Sequence, residues 1–331
     1  MSAPLDVVGG VRMPILRVNA GHEGLAINGS PACARSVISG AAIGTGPVII
    51  LIHGFKYDPE NAARSPHTGI FGTPKHPVRA RKAQWLRPLG FGTGNADEGL
   101  AIAFAWRARA NLWQAECAAH VAGRRLAEVI ALIHRRSPAR PIHVISHSMG
   151  SEVVFEALKC LPAGAIARII ALSAASYSSR VVTAMQTSAG QKAQLFNITS
   201  RENDVFDFIY EWLVAPPKTG DRAMGLGVDL PNAVNIQIDC ARTLAVLAHF
   251  GGHIAPPSGG MCHWSSYTRP GVLPFYGRIL RCPETVSLTG MQKMLPKHVA
   301  RRWSRIVLQP RMAKGLPAVQ SPAAFAFRHR P

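Results

Sequence analysis

The sequence predicts an α/β fold, with a mostly parallel central sheet flanked by helices on both faces. Short apolar runs rich in β-branched residues alternate along the chain with segments of helical periodicity, which is typical of this fold class. Several of the strand candidates are apolar without interruption, as expected of strands covered on both faces. With 331 residues, of which 47% are apolar, the chain is long enough to bury one large core.

The first half of the chain is predicted to contain four strands and one long helix. The strands are predicted at residues 12–18, 24–28, 48–52 and 99–106. Between residues 61 and 94 the chain is rich in Pro, Gly and His and has no clear periodicity, which predicts a long surface excursion. A helix is predicted over 113–136, because apolar residues recur there at helical spacing and basic residues with Pro138 follow.

The second half repeats the alternation and ends in a different kind of strand. Strands are predicted at 142–145, 166–172 and 194–199, and helices at 149–160 and 205–214. Residues 234–239 alternate strictly between apolar and polar, which predicts a strand at a sheet edge with one wet face. The helix at 205–214 has more apolar surface than one buried face needs. One interpretation is that this helix only packs on the sheet. The other is that part of it also lines or covers an apolar acyl pocket.

Composition excludes several classes of protein. No apolar run is long enough for a membrane-spanning helix, and the first residues lack the basic and apolar stretches of a signal peptide. The six cysteines are scattered, which favours free thiols in a reducing cytoplasm, and we expect a cytoplasmic protein. The sequence contains no zinc-protease motif, phosphate-binding loop or Cys/His cluster, so we expect neither a metal nor an organic cofactor.

The chain is strongly basic, since 37 Lys and Arg against 18 Asp and Glu give 37 − 18 = +19. Positive fields of this kind attract nucleic acids, anionic membranes or acidic ligands. No nucleic-acid-binding motif is present, so we expect no specific nucleic-acid partner. Weak contact with an anionic membrane surface stays open, and a solvated surface is the simplest interpretation. The sequence does not indicate an oligomeric state.

The pentapeptide Ser146-His147-Ser148-Met149-Gly150 is the clearest candidate for chemistry. It lies between a predicted strand and a predicted helix, the setting of a nucleophile elbow, in which a strained central serine projects its hydroxyl above the sheet. Small flanking residues are needed there because the strand and helix backbones approach closely. Gly150 meets that need, and Ser146 stands where glycine is more usual. The alternative is an ordinary strand–turn–helix junction in which a serine caps the helix.

A serine nucleophile needs a base, and the base needs an orienting acid. Asp204 follows the strand at 194–199 directly and is our candidate acid, with Asp207 and Asp239 as alternatives. His263 is the candidate base because aromatic residues flank it, and His253, in a Gly/Pro-rich loop, is the alternative.

Four motifs together resemble the α/β-hydrolase superfamily, in particular its lipase- and esterase-like serine hydrolases. They are HGF at 53–55, SHSMG at 146–150, SRENDVFD at 200–207 and HWSSY at 263–267, in the order nucleophile, acid, base. The segment FAWR at 104–107 is similar to one found in a bacterial branch of mostly undefined substrate. The resemblance covers roughly residues 48–276.

The resemblance implies a catalytic triad of Ser148, His263 and Asp204 that forms an acyl-enzyme intermediate. It also implies an oxyanion hole made of the backbone N–H groups of Met149 and Phe55. The supporting residues would be Gly54, His53 and Gly150.

The expected function is hydrolysis of a small carboxylic ester. An apolar acyl group is one option for this ester. An acyltransferase or thioesterase on the same triad is an alternative, as is a non-catalytic binding protein with the same fold. The expected domains are an N-terminal segment (1–10), an α/β-hydrolase catalytic domain (11–280) and a basic C-terminal extension (281–331). The extension carries ten Lys or Arg and a single acid, Glu284.

Overall fold

The computed structural model describes residues 7–8, 11–12, 14–73, 84–109, 111–297 and 300–306. Its strands are β1 (Val7–Val8), β2 (Val11–Arg12), β3 (Ile15–Ala20), β4 (Leu25–Ile27), β5 (Val48–Ile52), β6 (Leu100–Trp106), β7 (Ile142–His147), β8 (Arg168–Leu172), β9 (Gln194–Thr199) and β10 (Ala233–Gln237). Its helices are α1 (Ala34–Ala41), α2 (Leu112–Arg136), α3 (Gly150–Leu158), α4 (Ser178–Met185), α5 (Ser188–Lys192), α6 (Asp204–Leu213), α7 (Ala241–His249), α8 (Ser265–Thr268), α9 (Val272–Arg281) and α10 (Leu288–Met294).

Within these residues, one eight-stranded sheet runs in the order β10-β9-β8-β7-β5-β6-β3-β4. Neighbouring strands are parallel except for β3 and β4, which are antiparallel. The short strands β1 and β2 pair separately with each other. Because the parallel strands all end at one edge, the loops that follow β5, β7, β8 and β9 emerge side by side there.

The sheet is covered on both faces, which confirms the predicted fold class. Strand β5 shows how its side chains divide: Val48, Ile50 and Ile52 enter one core, and Ile49 and Leu51 enter the other. Helices α1 to α5 supply the first core. Helices α7, α9 and α10 supply the second. All five residues of β5 are buried, as an uninterrupted apolar strand requires.

The segment between β5 and β6 is more buried than its composition suggests. Phe71, Trp85 and Leu89 are buried in the second core, although the segment was expected to run over the surface. These large side chains are separated by turn residues and show no period, so periodicity did not reveal them. Residues 74–83 of the segment lie outside the described part of the chain.

Strand β10 lies at the sheet edge, as its alternating sequence predicts. The expected wet face is not found, because Asn235 is the only exposed residue among its five. Gln292 of α10 donates through Nε2 to the carbonyl oxygens of Ala233 (2.9 Å) and Pro231 (3.0 Å), so α10 lies along this edge.

The hydrophobic core continues past residue 280, where the catalytic domain was expected to end. Val286, Leu288 and Met291 are buried in the second core. The guanidinium of Arg168 on β8 donates to the carbonyl oxygen of Val286 (3.0 Å). These residues of the predicted basic extension therefore pack into the same core as the sheet, while residues 307–331 lie outside the described part.

None of the helices in the described ranges has the length and hydropathy needed to cross a membrane. All six cysteines lie in these ranges, and each is a free thiol.

Two methionines of α10 test whether this helix belongs to the core. Met291 is fully buried and Met294 is 47% exposed. We expect Met291→Ala to lower the free energy of unfolding by about 2–5 kcal/mol, because it leaves a cavity. Met294→Ala is the matched control and should change it by less than about 0.5 kcal/mol. Urea denaturation measures both, and equal small effects would show that α10 is not part of the cooperative core.

Candidate active site

The turn after β7 has the geometry of a nucleophile elbow. Ser148 follows the strand with φ of 54°, a left-handed conformation rare for residues other than glycine, and α3 begins two residues later. Its backbone N–H donates to the carbonyl oxygen of Leu172 at the end of β8 (3.0 Å). The Ser146 hydroxyl is buried and hydrogen-bonded to that of Ser151 (2.9 Å), so serine is accommodated where glycine is more usual.

The loop after β5 lies directly against this turn. A Cβ on Gly54 would lie 2.7 Å from the Cβ of Ser148, and a Cβ on Gly150 would lie 2.5 Å from the carbonyl oxygen of His53. Neither position has room for a side chain. Among the described residues, no acceptor is bonded to the backbone N–H of Phe55 or Met149. Both N–H groups are thus without a partner in the described part of the chain, and both residues line the same cavity as Ser148.

His53 holds the loop in place through both ring nitrogens. The backbone N–H of Trp106 donates to Nε2 (3.1 Å), so Nδ1 carries the proton and donates to the carbonyl oxygen of Gly54 (2.9 Å). The Trp106 indole N–H in turn donates to the His53 carbonyl oxygen (3.2 Å). Burial lowers the pKa of His53 to about 4, and the ring is neutral at pH 7. Trp106 belongs to the FAWR segment, which therefore braces this loop.

His263 borders the same cavity as Ser148. Its Nδ1 lies 2.6 Å from Oδ1 of Asn203, an oxygen that can only accept, so Nδ1 carries the proton and Nε2 keeps its lone pair. Burial, together with the nearby His147 ring, holds the pKa of His263 well below its usual range. The imidazole is therefore neutral at pH 7 and has a free basic nitrogen.

The His263 side chain is wedged between aromatic neighbours. The ring of Phe206 stacks on it, with centroids 4.7 Å apart, and the ring of His147 lies 4.6 Å away. His147 Nε2 donates to the backbone carbonyl oxygen of His263 (3.2 Å). No hydrogen bond joins Ser148 Oγ to His263 in the described part of the chain. Catalytic contacts of this type are often loose without substrate and tighten when it binds.

Asp204, the acid expected from the sequence, does not reach His263. Its carboxylate is fully buried, accepts a hydrogen bond from the backbone N–H of Trp303 (2.6 Å) and pairs with the guanidinium of Arg201 (3.2 Å). Asp204 begins α6 after a short 3₁₀ turn, so its side chain projects from the backbone in a different direction from that of Asn203. The structure brings the amide of Asn203 to the imidazole in its place.

Asp207, weighed as an alternative acid, stands behind Asn203. The Asn203 Nδ2 amide group donates to Asp207 Oδ1 (2.8 Å), and the carboxyl group is buried one turn into α6. Its Oδ2 has no hydrogen-bond partner among the described residues. Burial raises the pKa of Asp207 to about 7, although the positive charges of Arg201 and Arg302 act in the opposite direction.

The remaining alternatives lie elsewhere. His253 is exposed and lines a separate shallow groove with Gly271. Asp239 accepts hydrogen bonds from the backbone N–H of Arg201 (3.1 Å) and from Gln237 (3.0 Å). Neither Asn203 nor His147 was predicted from the sequence to have a role of its own. Their positions at the ends of β9 and β7 were the available signal.

A cavity of about 390 Å³ opens beside Ser148 and is mostly apolar. Helix α6 forms one wall through Phe206, Ile209 and Leu213, as one interpretation of its excess apolar surface predicts. Such a cavity suits a small apolar ligand with a few polar groups converging at one end. No cluster of three or more potential metal ligands occurs in the ranges that the structure describes.

A family of alpha/beta hydrolases of unknown function (DUF900) matches residues 39–196, just under half of the chain. The match includes the HGF loop and the elbow and ends within β9. With the sheet described above, it confirms the resemblance to the α/β-hydrolase superfamily.

Among solved structures, an acylaminoacyl peptidase from Pyrococcus horikoshii is similar, with a TM-score of 0.31 and 11% identity over 78% of this chain. The chain spans 39% of that protein's length, and at this level the similarity has no bearing on activity. No curated protein sequence matches the chain.

The buried histidines make stability depend on pH. Burial lowers the pKa of both His53 and His147 from 6.5 to about 4. Between these values the unfolded chain binds more protons than the folded one, so the free energy of unfolding should fall as pH decreases from 6.5 to 4. We expect His147→Asn to reduce this slope in denaturant titrations. The same substitution at exposed His22 controls for the loss of one histidine, and an unchanged slope in His147→Asn would contradict the assignment.

Proposed function

Because the chain has the α/β-hydrolase fold, we propose that it is a serine hydrolase that cleaves a carboxylic ester through an acyl-enzyme intermediate. One observation carries the proposal. The strained Ser148, two residues whose backbone N–H groups have no partner (Phe55 and Met149) and a neutral, oriented imidazole all border one cavity. Nucleophile, oxyanion donors and base are the three parts that acyl transfer needs.

In this mechanism, His263 Nε2 removes the proton of Ser148 Oγ as the oxygen attacks the acyl carbonyl carbon. The carbonyl oxygen becomes an oxyanion and accepts hydrogen bonds from the N–H groups of Phe55 and Met149. The C–O bond to the leaving alcohol then breaks, and His263 returns the proton to that alcohol. Water, activated by the same imidazole, attacks the acyl-enzyme and releases the acid and free Ser148.

Asn203 takes the orienting role in the proposed site. Its Oδ1 accepts from His263 Nδ1, which fixes the tautomer that leaves Nε2 basic. An amide carbonyl in this role is known from the Cys-His-Asn arrangement of papain-like proteases. Being neutral, it stabilises the imidazolium less than a carboxylate would.

Asp207 is proposed as a positioning residue that acts through Asn203. Because Asp207 accepts from Nδ2, the amide cannot rotate to present its NH₂ group to His263. When Asp207 is ionised, its charge also polarises the Asn203 amide and strengthens Oδ1 as an acceptor. The groups that face Asp207 are Arg201, Asp204, Arg302 and Glu211, so its ionisation is coupled to theirs.

The apolar cavity supports an ester with an apolar acyl group as substrate. An acyltransferase or thioesterase would use the same residues and differ in its acceptor or leaving group.

We propose a cytoplasmic location, which the six free cysteines support, and no specific nucleic-acid partner. We also propose that the catalytic domain begins at about residue 11 and includes α10, leaving a shorter basic tail.

Labelling with a fluorophosphonate tests the nucleophile. We expect one adduct by intact mass on the wild type and none on Ser148→Ala, because only an activated serine reacts. Ser173→Ala is the matched control, since Ser173 lines the same cavity but its hydroxyl is hydrogen-bonded to Ser266 (3.0 Å), and it should be labelled like the wild type. p-Nitrophenyl esters of increasing chain length would then define the acyl preference. An unlabelled, folded wild type would count against the proposed function.

The pair Asn203 and Asp207 is tested by exchanging amide and carboxylate. We expect Asp207→Asn to lower kcat about ten- to a hundredfold, the range found when the hydrogen-bond partner of a metal-bound histidine is lost. The wild-type rate should fall as pH decreases through about 7, where Asp207 gains its proton, and this step should be missing in Asp207→Asn.

The double variant Asn203→Asp/Asp207→Asn keeps both side-chain shapes and moves the charge next to His263. It should recover activity relative to Asp207→Asn, because a carboxylate then stabilises the imidazolium directly. Wild-type activity with an unchanged pH profile in Asp207→Asn would remove Asp207 from the mechanism and leave the Ser148 labelling result untouched.

A further inference from the structure

Large apolar side chains are exposed on and beside helix α6, which forms one wall of the cavity. Trp212 is 77% exposed, Trp113 54% and Trp264 53%. Phe208 and Trp303 are also exposed and contact each other edge to face, with ring centroids 5.8 Å apart. In the described part of the chain, these five are the large aromatic side chains that are exposed, and such a concentration indicates an interaction surface.

These side chains belong to one continuous surface. The Trp113 indole N–H donates to the carbonyl oxygen of Leu213 (2.6 Å), which joins the start of α2 to the end of α6. Trp264 lies beside Phe206, with ring centroids 6.3 Å apart, and Ile209 and Trp264 both line the cavity. We call this surface the mouth face; its members are Trp113, Phe208, Ile209, Trp212, Trp264 and Trp303.

Acidic groups on the mouth face are buried or paired. Of the acids in α6, Asp204 and Asp207 are buried, and Glu211 pairs with Arg302 (2.8 Å). Glu116, in the second turn of α2, pairs with Arg180. Residues 250–264, which lead to Trp264, contain no acid.

Exposed cations lie at the cavity or close to these aromatic residues along the chain. Lys56 lines the cavity, Arg109 lies four residues before Trp113, and Lys218 lies six residues after Trp212. Arg301 lies two residues before Trp303. All four are exposed, and none forms a salt bridge within the described residues. The mouth face therefore combines exposed aromatic side chains with unneutralised positive charge.

We infer that the mouth face docks on an anionic lipid bilayer. Tryptophan side chains favour the zone between headgroups and acyl chains, where the ring is in an apolar environment and the indole N–H is hydrated. The cations around them would lie against anionic headgroups, and the net charge of +19 strengthens the attraction. In this orientation the cavity beside Ser148 opens towards the lipid, the source from which an apolar ester would enter.

Charge decides between this occupant and a second copy of the chain. Two mouth faces placed against each other would bring like charges together without acids to neutralise them, which opposes a dimer through this surface. An anionic bilayer offers negative charge and an apolar interior at once. The inference that the mouth face docks on a bilayer depends only on the residues of this surface. The inference that docking supplies substrate rests on the proposed function.

Vesicle sedimentation tests docking with the full chain. The Ser148→Ala variant is mixed with phosphatidylcholine vesicles with or without phosphatidylglycerol, so that binding is measured without turnover. We expect binding only to the anionic vesicles, weakening as salt is raised, with a blue shift of tryptophan fluorescence. Trp212→Glu should raise the apparent Kd about tenfold or more, because it places a charge in the apolar part of the contact.

Ile43→Glu is the matched control. Ile43 is 60% exposed and precedes β5, so it lies at the amino-terminal edge of the sheet, opposite the mouth face. Ile43→Glu, made in the Ser148→Ala variant, should bind vesicles as Ser148→Ala alone does. Equal binding to neutral and anionic vesicles, or equal losses in Trp212→Glu and Ile43→Glu, would overturn the inference. Fluorophosphonate labelling is read separately: docking without labelling would reject the hydrolase, and labelling without docking would reject the membrane surface.

Discussion

The close approach of two backbone segments at the carboxyl edge of the sheet is the constraint on which the candidate site depends. Strands β5 and β7 are parallel neighbours, with Ile52 opposite Ser146, so the loop after one meets the turn after the other. Glycine at positions 54 and 150 allows contact at distances that no side chain would permit. That contact brings the loop that carries the Phe55 N–H against the turn that carries Ser148 and Met149, and bulkier residues would separate the two segments.

The polar groups beneath the cavity are arranged around α6. Its first residue, Asp204, binds the backbone of Trp303, and its last acid, Glu211, binds Arg302, so both hold the segment 300–306 against the helix. Asp207, between them, holds Asn203. The opposite side of the same helix forms a wall of the cavity through Phe206 and Ile209. One short helix thus connects the apolar pocket, the orienting amide and the C-terminal segment.

The histidines of the site share one electrostatic condition. Burial lowers the pKa of His53, His147 and His263 below that of a free histidine, so the rings are neutral near pH 7. His53 and His147 use their N–H groups to hold backbone carbonyl oxygens. His263 donates through Nδ1 to Asn203, which leaves Nε2 as a base. Burial has a similar electrostatic effect on all three rings, and their hydrogen bonds give them different tasks.

The sequence by itself determined the sheet, the elbow, the HGF loop and the order of the site segments, because periodicity and turn residues are local signals. It did not determine which side chain at the end of β9 faces His263. Asn203 and Asp204 are adjacent, and the 3₁₀ turn that leads into α6 directs one to the imidazole and the other to Trp303. Likewise, α10 covers β10 through contacts about sixty residues apart in sequence. Only tertiary packing decides such contacts, because they depend on the direction in which each side chain leaves the backbone and on segments that are distant along the chain.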